Sequence, residues 1–186
     1  MIIGIAGTIA AGKGAVVEYL KSKGFKHYSS SDTLKEILKE RGNPLTRDYM
    51  SSLAEELLAK YKGGILELNL ERAEKGGETD LVLEAIHRMS EADFVRSRGG
   101  KIIGVDADIR VRYERTIARG DGEKDAVTFE QFVEHSARED EGKRQLTSNI
   151  KSVIDTADAV IQNNGTLEEL KRQVDEVLER IEEAKK

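Results

Sequence analysis

The chain has no cysteine and no tryptophan, and it has a single proline, Pro44. Without cysteine there is no disulfide and no thiolate metal site, so a reducing compartment is permitted. An excess of basic residues is also missing. Thirty lysines and arginines face 35 acidic residues, for a formal net charge of −5. That balance argues against non-specific binding to nucleic acid, and no basic stripe with interleaved aromatics runs through the chain. Long hydrophobic runs are lacking as well. The first apolar stretch, residues 2–6, is too short for a signal peptide or a membrane span and has no basic segment before it. The expectation is a cytoplasmic protein that engages neither membrane nor nucleic acid.

Glycine, by contrast, is plentiful, with 17 residues, and its placement is informative. The apolar run 2–6 reads as a buried strand. A loop bounded by Gly7 and Gly12 follows, and then a helical pattern over residues 13–23. Gly7 and Gly12 stand five apart with Lys13 directly after, which is the GxxxxGK spacing of a P-loop. A polyphosphate needs converging backbone N–H groups, side chains kept out of the way and the positive N-terminus of a helix behind it. Glycines permit that path, and Lys13 adds a point charge. The residue after the lysine departs from the general pattern, because Gly14 stands where a serine or threonine usually ligates magnesium. A glycine-rich turn in another α/β protein is the plainer reading. The strand, loop and helix in sequence favour the phosphate site.

Gly12-Lys13-Gly14 resembles the loop of adenylate kinases, in which a threonine usually follows; here Ala15 replaces it. The opening is also similar to that of dephospho-CoA kinases and of archaeal P-loop proteins of nucleotide-kinase type. The resemblance implies that Gly7, Ala10, Ala11, Gly12, Lys13, Gly14 and Ala15 hold the phosphates of ATP or another nucleoside triphosphate with Mg2+. Lacking cysteine, the chain does not carry the zinc-bound lid of some adenylate kinases.

Strand and helix patterns alternate throughout, the signature of a parallel sheet flanked by helices. Strands are expected near residues 2–6, 25–29, 81–85, 101–105 and 159–162. Helices are expected from about residue 30 to Gly42, and over 47–61, 90–98, 109–119 and 128–144, with a last one opened by Thr166. Residues 65–71 fit either periodicity, and the kinase resemblance tips them to helix. Thr128 with Gln131, and Thr166 with Glu169, have capping-box spacing. Without a repeat or linker, residues 1–186 read as one α/β domain. Its core is a doubly wound five-stranded parallel sheet of the P-loop nucleotide-kinase type. The acceptor-binding helical segment is placed at about 30–77 and a short helical lid at about 119–145. Ligands should sit past the C-terminal strand ends.

The remaining candidates follow those strand ends. Asp32 and Lys35 lie in a segment similar to the acceptor-binding segment of adenylate kinases, where an arginine is usual at the lysine's place. They would hold an acceptor phosphate, or Asp32 would take a proton from a hydroxyl acceptor. The bland alternatives are a helix cap and a solvated charge. Glu84 ends the strand beside the P-loop, where an acidic residue commonly orders magnesium through its waters; otherwise it is a carboxylate paired with a lysine. His87 or Arg88 stands where the resemblance implies an arginine against the acceptor phosphate. Arg119 and Arg138 match its lid arginines, with Lys143 and Arg144 weaker matches; ordinary ion pairs with nearby acids are the alternative. Asn164, in an Asn163-Asn164-Gly165-Thr166 segment similar to that of dephospho-CoA kinases, would lie near the donor base, or serve only as a turn residue. His27 and His135 carry no role.

The reading these residues support is a phosphotransferase that moves the γ-phosphoryl of a magnesium-bound nucleoside triphosphate to a nucleoside monophosphate. A hydroxyl acceptor, as in dephospho-CoA kinase, is an alternative that Asp32 permits. A nucleotide-binding regulatory module without significant transfer is a third, kept open by Gly14 and Ala15.

Overall fold

A computed structural model describes residues 1–120, 127–140 and 149–184. Fourteen elements are described in order: β1 (Ile2–Gly7), α1 (Lys13–Ser22), β2 (Lys26–Ser29), α2 (Ser30–Glu40), α3 (Arg47–Lys60), α4 (Ile65–Lys75), β3 (Leu81–Glu84), α5 (Met89–Ser97), β4 (Lys101–Asp106), α6 (Ile109–Arg119), α7 (Phe129–Asp140), α8 (Ile150–Asp155), β5 (Ala159–Gln162) and α9 (Leu167–Glu183). The strands form one parallel sheet in the order β2-β3-β1-β4-β5. The first strand is therefore the central one, and the loop after it emerges at the middle of the sheet's C-terminal edge.

Alternation along the strands sends side chains to two cores. Ile3, Ile5, Val82, Ile103, Val105 and Ile161 meet Val16, Val17 and Leu20 of α1, together with Leu170, Val174, Val177 and Ile181 of α9. On the opposite face Ala6, Leu81, Leu83 and Ile102 meet the apolar sides of α2 to α5 and of α8. The sheet is doubly wound. Gly4 lies where β1 is pressed from both sides; a Cβ there would come within 2.8 Å of the Ile102 side chain and 3.0 Å of Ile86.

Local chemistry sets the helix starts. Ser29 caps α2 by accepting a hydrogen bond from the Asp32 N–H at 3.2 Å. This resolves a start that several residues could have supplied, and Asp32 is not the cap. Both expected capping boxes form: Thr166 with Glu169, and Thr128 with Gln131. The ambiguous residues 65–71 are helical, because Leu66, Leu70 and Ala73 share the buried side. α8 was not foreseen. It is only six residues long, too short to show a full period, yet it buries Ile150, Val153 and Ile154. No helix among the described residues is long and apolar enough to cross a membrane.

Candidate functional site

The turn from β1 to α1 is built as a cradle. Gly12 has φ 98° and Ala10 φ 58°, left-handed backbone conformations of the kind from which anion nests are built. Gly7 lies flat against β4, and a Cβ there would fall 2.5 Å from the Val105 carbonyl oxygen and 3.0 Å from Lys13 Cγ. Lys13 opens α1 and bends back over the loop, donating from Nζ to Gly7 O at 2.9 Å and Thr8 O at 3.0 Å. Gly14 faces open space, with nothing within 4 Å of where its Cβ would be.

Residues far along the chain hold this loop in place. Asn163, buried just after β5, donates from Nδ2 to Ala11 O at 2.8 Å, and its own N–H bonds Asp106 O at 2.8 Å. A Cβ on Gly12 would collide with that Asn163 amide. Arg115 Nη1 reaches Ala11 O at 3.4 Å, and Thr8 Oγ1 donates to Asp106 Oδ1 at 2.7 Å. None of Asn163, Arg115, Asp106 or Thr8 was singled out from the sequence. Asn164, which was, turns the other way, and its Oδ1 accepts from the Asp108 N–H at 2.7 Å.

β3 ends beside β1 in Glu84, in register with Ile5. Among the described residues its carboxylate is not paired with a lysine. His27 Nε2 on neighbouring β2 lies 3.2 Å from Glu84 Oε2, close but not aligned as a hydrogen bond. His27, to which the sequence assigns no role, thus lies against Glu84. Both side chains are about three-quarters covered, at 22% and 23% exposure. Glu84 supplies a hard oxygen donor of the kind magnesium prefers, one strand from the loop. Among the described residues no group of three or more acidic, histidine or cysteine side chains gathers as a metal cluster.

The segment after Glu84 carries His87 and Arg88 and is pinned by a buried carboxylate. Glu91 Oε2 accepts from the His87 N–H at 2.7 Å and the Arg88 N–H at 3.1 Å, while Arg88 Nη1 lies 3.3 Å from Glu91 Oε1. His87 presents its surface to solvent but has protein massed around it at longer range. Desolvation by those surroundings holds its imidazole below the ordinary value. The Glu91 and Glu84 carboxylates oppose the shift, and the Lys13 and Arg88 charges reinforce it.

The acceptor-side and lid candidates are more scattered. Asp32 and Lys35 pair with each other at 2.9 Å on exposed α2, and chiefly that bond lowers the Asp32 carboxyl. Arg119 ends α6 on the surface, just before Gly120 turns the chain with φ 63°. Arg138 falls on α7, but its side chain, like Lys143 and Arg144, lies outside the described residues. The structure thus gathers the loop, Glu84, His87 and Arg88 at the edge of the central strands. Asp32 and Lys35 lie at the start of α2, whose cap Ser29 is in register with Glu84.

A parallel sheet of this order with a glycine cradle after its first, central strand is the fold of the P-loop kinases. A dephospho-CoA kinase from Campylobacter jejuni superposes with a TM-score of 0.57 at 18% identity, covering 100% of this chain and 98% of the other. The protein TT1252 from Thermus thermophilus superposes with a TM-score of 0.61 at 22% identity, covering 97% of each chain. No protein-family model matches the chain. A UPF0200 protein of Sulfurisphaera tokodaii is 30% identical over 182 residues, 97% of each chain. The chain belongs to the UPF0200 family.

Proposed function

We propose that this chain is a P-loop phosphotransferase that moves the γ-phosphoryl group of a nucleoside triphosphate to a nucleoside monophosphate. The observation that carries the reading is the cradle itself. Ala10 and Gly12 take left-handed backbone conformations, Gly7 has no room for a side chain, and Lys13 Nζ is already held over the loop at the carbonyls of Gly7 and Thr8. Phosphoryl transfer needs little covalent help from a protein. Positioning and compensation of spreading negative charge supply most of the rate.

The chain's own residues divide that work. The loop residues Gly7, Ala10, Ala11, Gly12, Lys13, Gly14 and Ala15 hold the donor's phosphates, and Lys13 follows the charge on the transferring group. Glu84 is the residue offered to Mg2+, which when bound neutralises phosphate oxygens. His87 and Arg88, held by Glu91, face the acceptor's phosphate, with Asp32 and Lys35 further out on α2. Arg119 and Arg138 are the cations on the lid side, and Asn164 marks the approach to the donor base. A monophosphate acceptor already offers an oxyanion, so these cations suffice without a general base. A cysteine-free chain suits a cytoplasmic setting for this activity.

A hydroxyl acceptor is the second reading, favoured by the dephospho-CoA kinase likeness in fold and by Asp32 as a proton acceptor. A panel of nucleoside and deoxynucleoside monophosphates, with dephospho-CoA, assayed with Mg-ATP for ADP release separates them. Turnover on a monophosphate is the expected result, and turnover on dephospho-CoA alone reverses the acceptor. Tight ATP binding with no transfer to any of these acceptors would instead make the chain a nucleotide-binding regulatory module. Lys13→Ala should remove turnover while leaving the circular dichroism spectrum unchanged, since glycine and Asn163 shape the loop. Undiminished kcat in the folded variant would reject the role of Lys13.

A further inference from the structure

On the β4 side of the P-loop a polar cleft of about 280 Å³ opens among Thr8, Asp106, Arg112, Lys151, Ile154 and Asp155. Its character is set by four charges. Asp106 and Arg112 come from the end of β4 and from α6, and Lys151 and Asp155 from one side of α8. Among the described residues no two of the four form an ion pair. Opposite charges sharing a small space ordinarily collapse onto one another. Two of these are restrained from doing so. The Asp106 carboxylate accepts the Thr8 hydroxyl at 2.7 Å. Arg112 is 6% exposed, donating from Nε to Ala107 O at 3.0 Å and from Nη1 to Ser136 Oγ at 2.9 Å, with the Phe132 ring 6.0 Å from its Cζ. Its anchors are a carbonyl and a hydroxyl, both neutral. A guanidinium buried on neutral partners is costly, and a bound anion would offset that cost.

We propose that this cleft is a second ligand subsite, which takes a compact molecule carrying an oxyanion beside a hydroxyl. The oxyanion, phosphate or carboxylate, lies on Arg112 and Lys151, and the hydroxyl donates to Asp106 or Asp155. With Nε and Nη1 anchored, Nη2 has N–H groups to offer the ligand, and they suit carboxylate and phosphate oxygens alike. The volume is just below the range of about 300–1,000 Å³ usual for small-molecule sites, so a whole nucleotide is too large. Thr8 joins the cleft to the loop, because its hydroxyl faces Asp106 while its carbonyl holds Lys13 Nζ at 3.0 Å. An occupant therefore sits next to the phosphate cradle. The proposal goes beyond the transfer reading and does not require it.

Calorimetric titration tests it. Inorganic phosphate and, in parallel, malonate are titrated into the full chain with its P-loop saturated by magnesium and a non-hydrolysable ATP analogue. One or both should bind at one per chain, and which one binds identifies the oxyanion. Lys151→Ala, an exposed change, should weaken that binding about tenfold, and Arg112→Gln by about 10- to 100-fold, with analogue affinity held within about twofold. If the buried Arg112→Gln variant does not fold, Lys151→Ala carries the test. Absence of a second binding event, or one removed by Lys35→Ala and untouched by Lys151→Ala, overturns the subsite and leaves the nucleotide reading standing. If the analogue itself does not bind, the nucleotide reading fails and the same titrations are run without it. Loss of phosphate binding in Lys151→Ala then still supports the cleft, and loss in Lys13→Ala alone overturns it.

Discussion

Asn163 and Gly12 show how one contact can fix a loop that no local signal fully specifies. The Asn163 amide occupies the space a side chain at position 12 would need, and it bonds the carbonyl of the preceding Ala11. Asn163→Ala should therefore loosen the cradle, with nucleotide affinity falling by about 1–2 kcal/mol, or roughly tenfold, in calorimetry. Gly14 behaves differently. Open space surrounds it, so Gly14→Ser should fold normally and steepen the dependence of turnover on magnesium, measured as the metal concentration at half-maximal rate. Identical magnesium curves would show that a hydroxyl at this position reaches no metal. The glycines and the lysine were readable from the sequence because their signal is a local spacing. Asn163, Asp106 and Thr8 were not, because their roles arise from partners about 100 residues or more away, which spacing cannot encode. His27 was passed over for the same reason, since only the pairing of β2 with β3 brings it to Glu84.

At the level of elements, Asp158, in the turn between α8 and β5, holds two others, β4 and α5. Its Oδ2 accepts from the Ile102 N–H at 2.9 Å and its Oδ1 from Lys101 Nζ at 3.0 Å, with Arg96 of α5 at 3.6 Å. Burial pushes the Asp158 carboxyl up, but the Ile102 N–H and the Lys101 and Arg96 charges outweigh it and hold it below the ordinary value of 3.8. A carboxyl lowered in this way stabilises the fold fully above the unfolded value, and the contribution fades as pH falls through the folded one. Asp158→Asn should cost about 1–2 kcal/mol at neutral pH, and the gap from the parent should close as pH drops below that range. Urea denaturation at several pH values checks this, and a gap that stays constant would rule out the charge as its origin. Element types were largely legible because β1, β3, β4 and β5 are short, mainly apolar runs between glycines and polar turns. Their ends shifted by a residue or so. β2 starts at Lys26 and β3 stops at Glu84, one residue inside the expected bounds at each. α8 escaped because its six residues offer only Ile150, Val153 and Ile154 as a pattern.

For the molecule as a whole, the cradle at the centre of the sheet couples nucleotide binding to global stability. A ligand that binds only the folded state, at 100 times its dissociation constant, stabilises it by about 2.7 kcal/mol. Mg-ATP should therefore raise the melting temperature of the parent clearly and that of Lys13→Ala much less, as read by differential scanning calorimetry. Equal shifts in the two proteins would place the nucleotide elsewhere.

The order β2-β3-β1-β4-β5 also bears on how the protein is made. Ile2 pairs with Leu81 and Ile3 with Lys101, so β1 leaves the ribosome with both its neighbours still untranslated. The nascent β1 must wait, apolar and unpaired, until more than half the chain has followed it. Loop closure over such separations is slow, and an unpaired apolar strand is exposed to aggregation meanwhile. Synthesis of this protein thus passes through a vulnerable interval that ends only after β4 has cleared the exit tunnel.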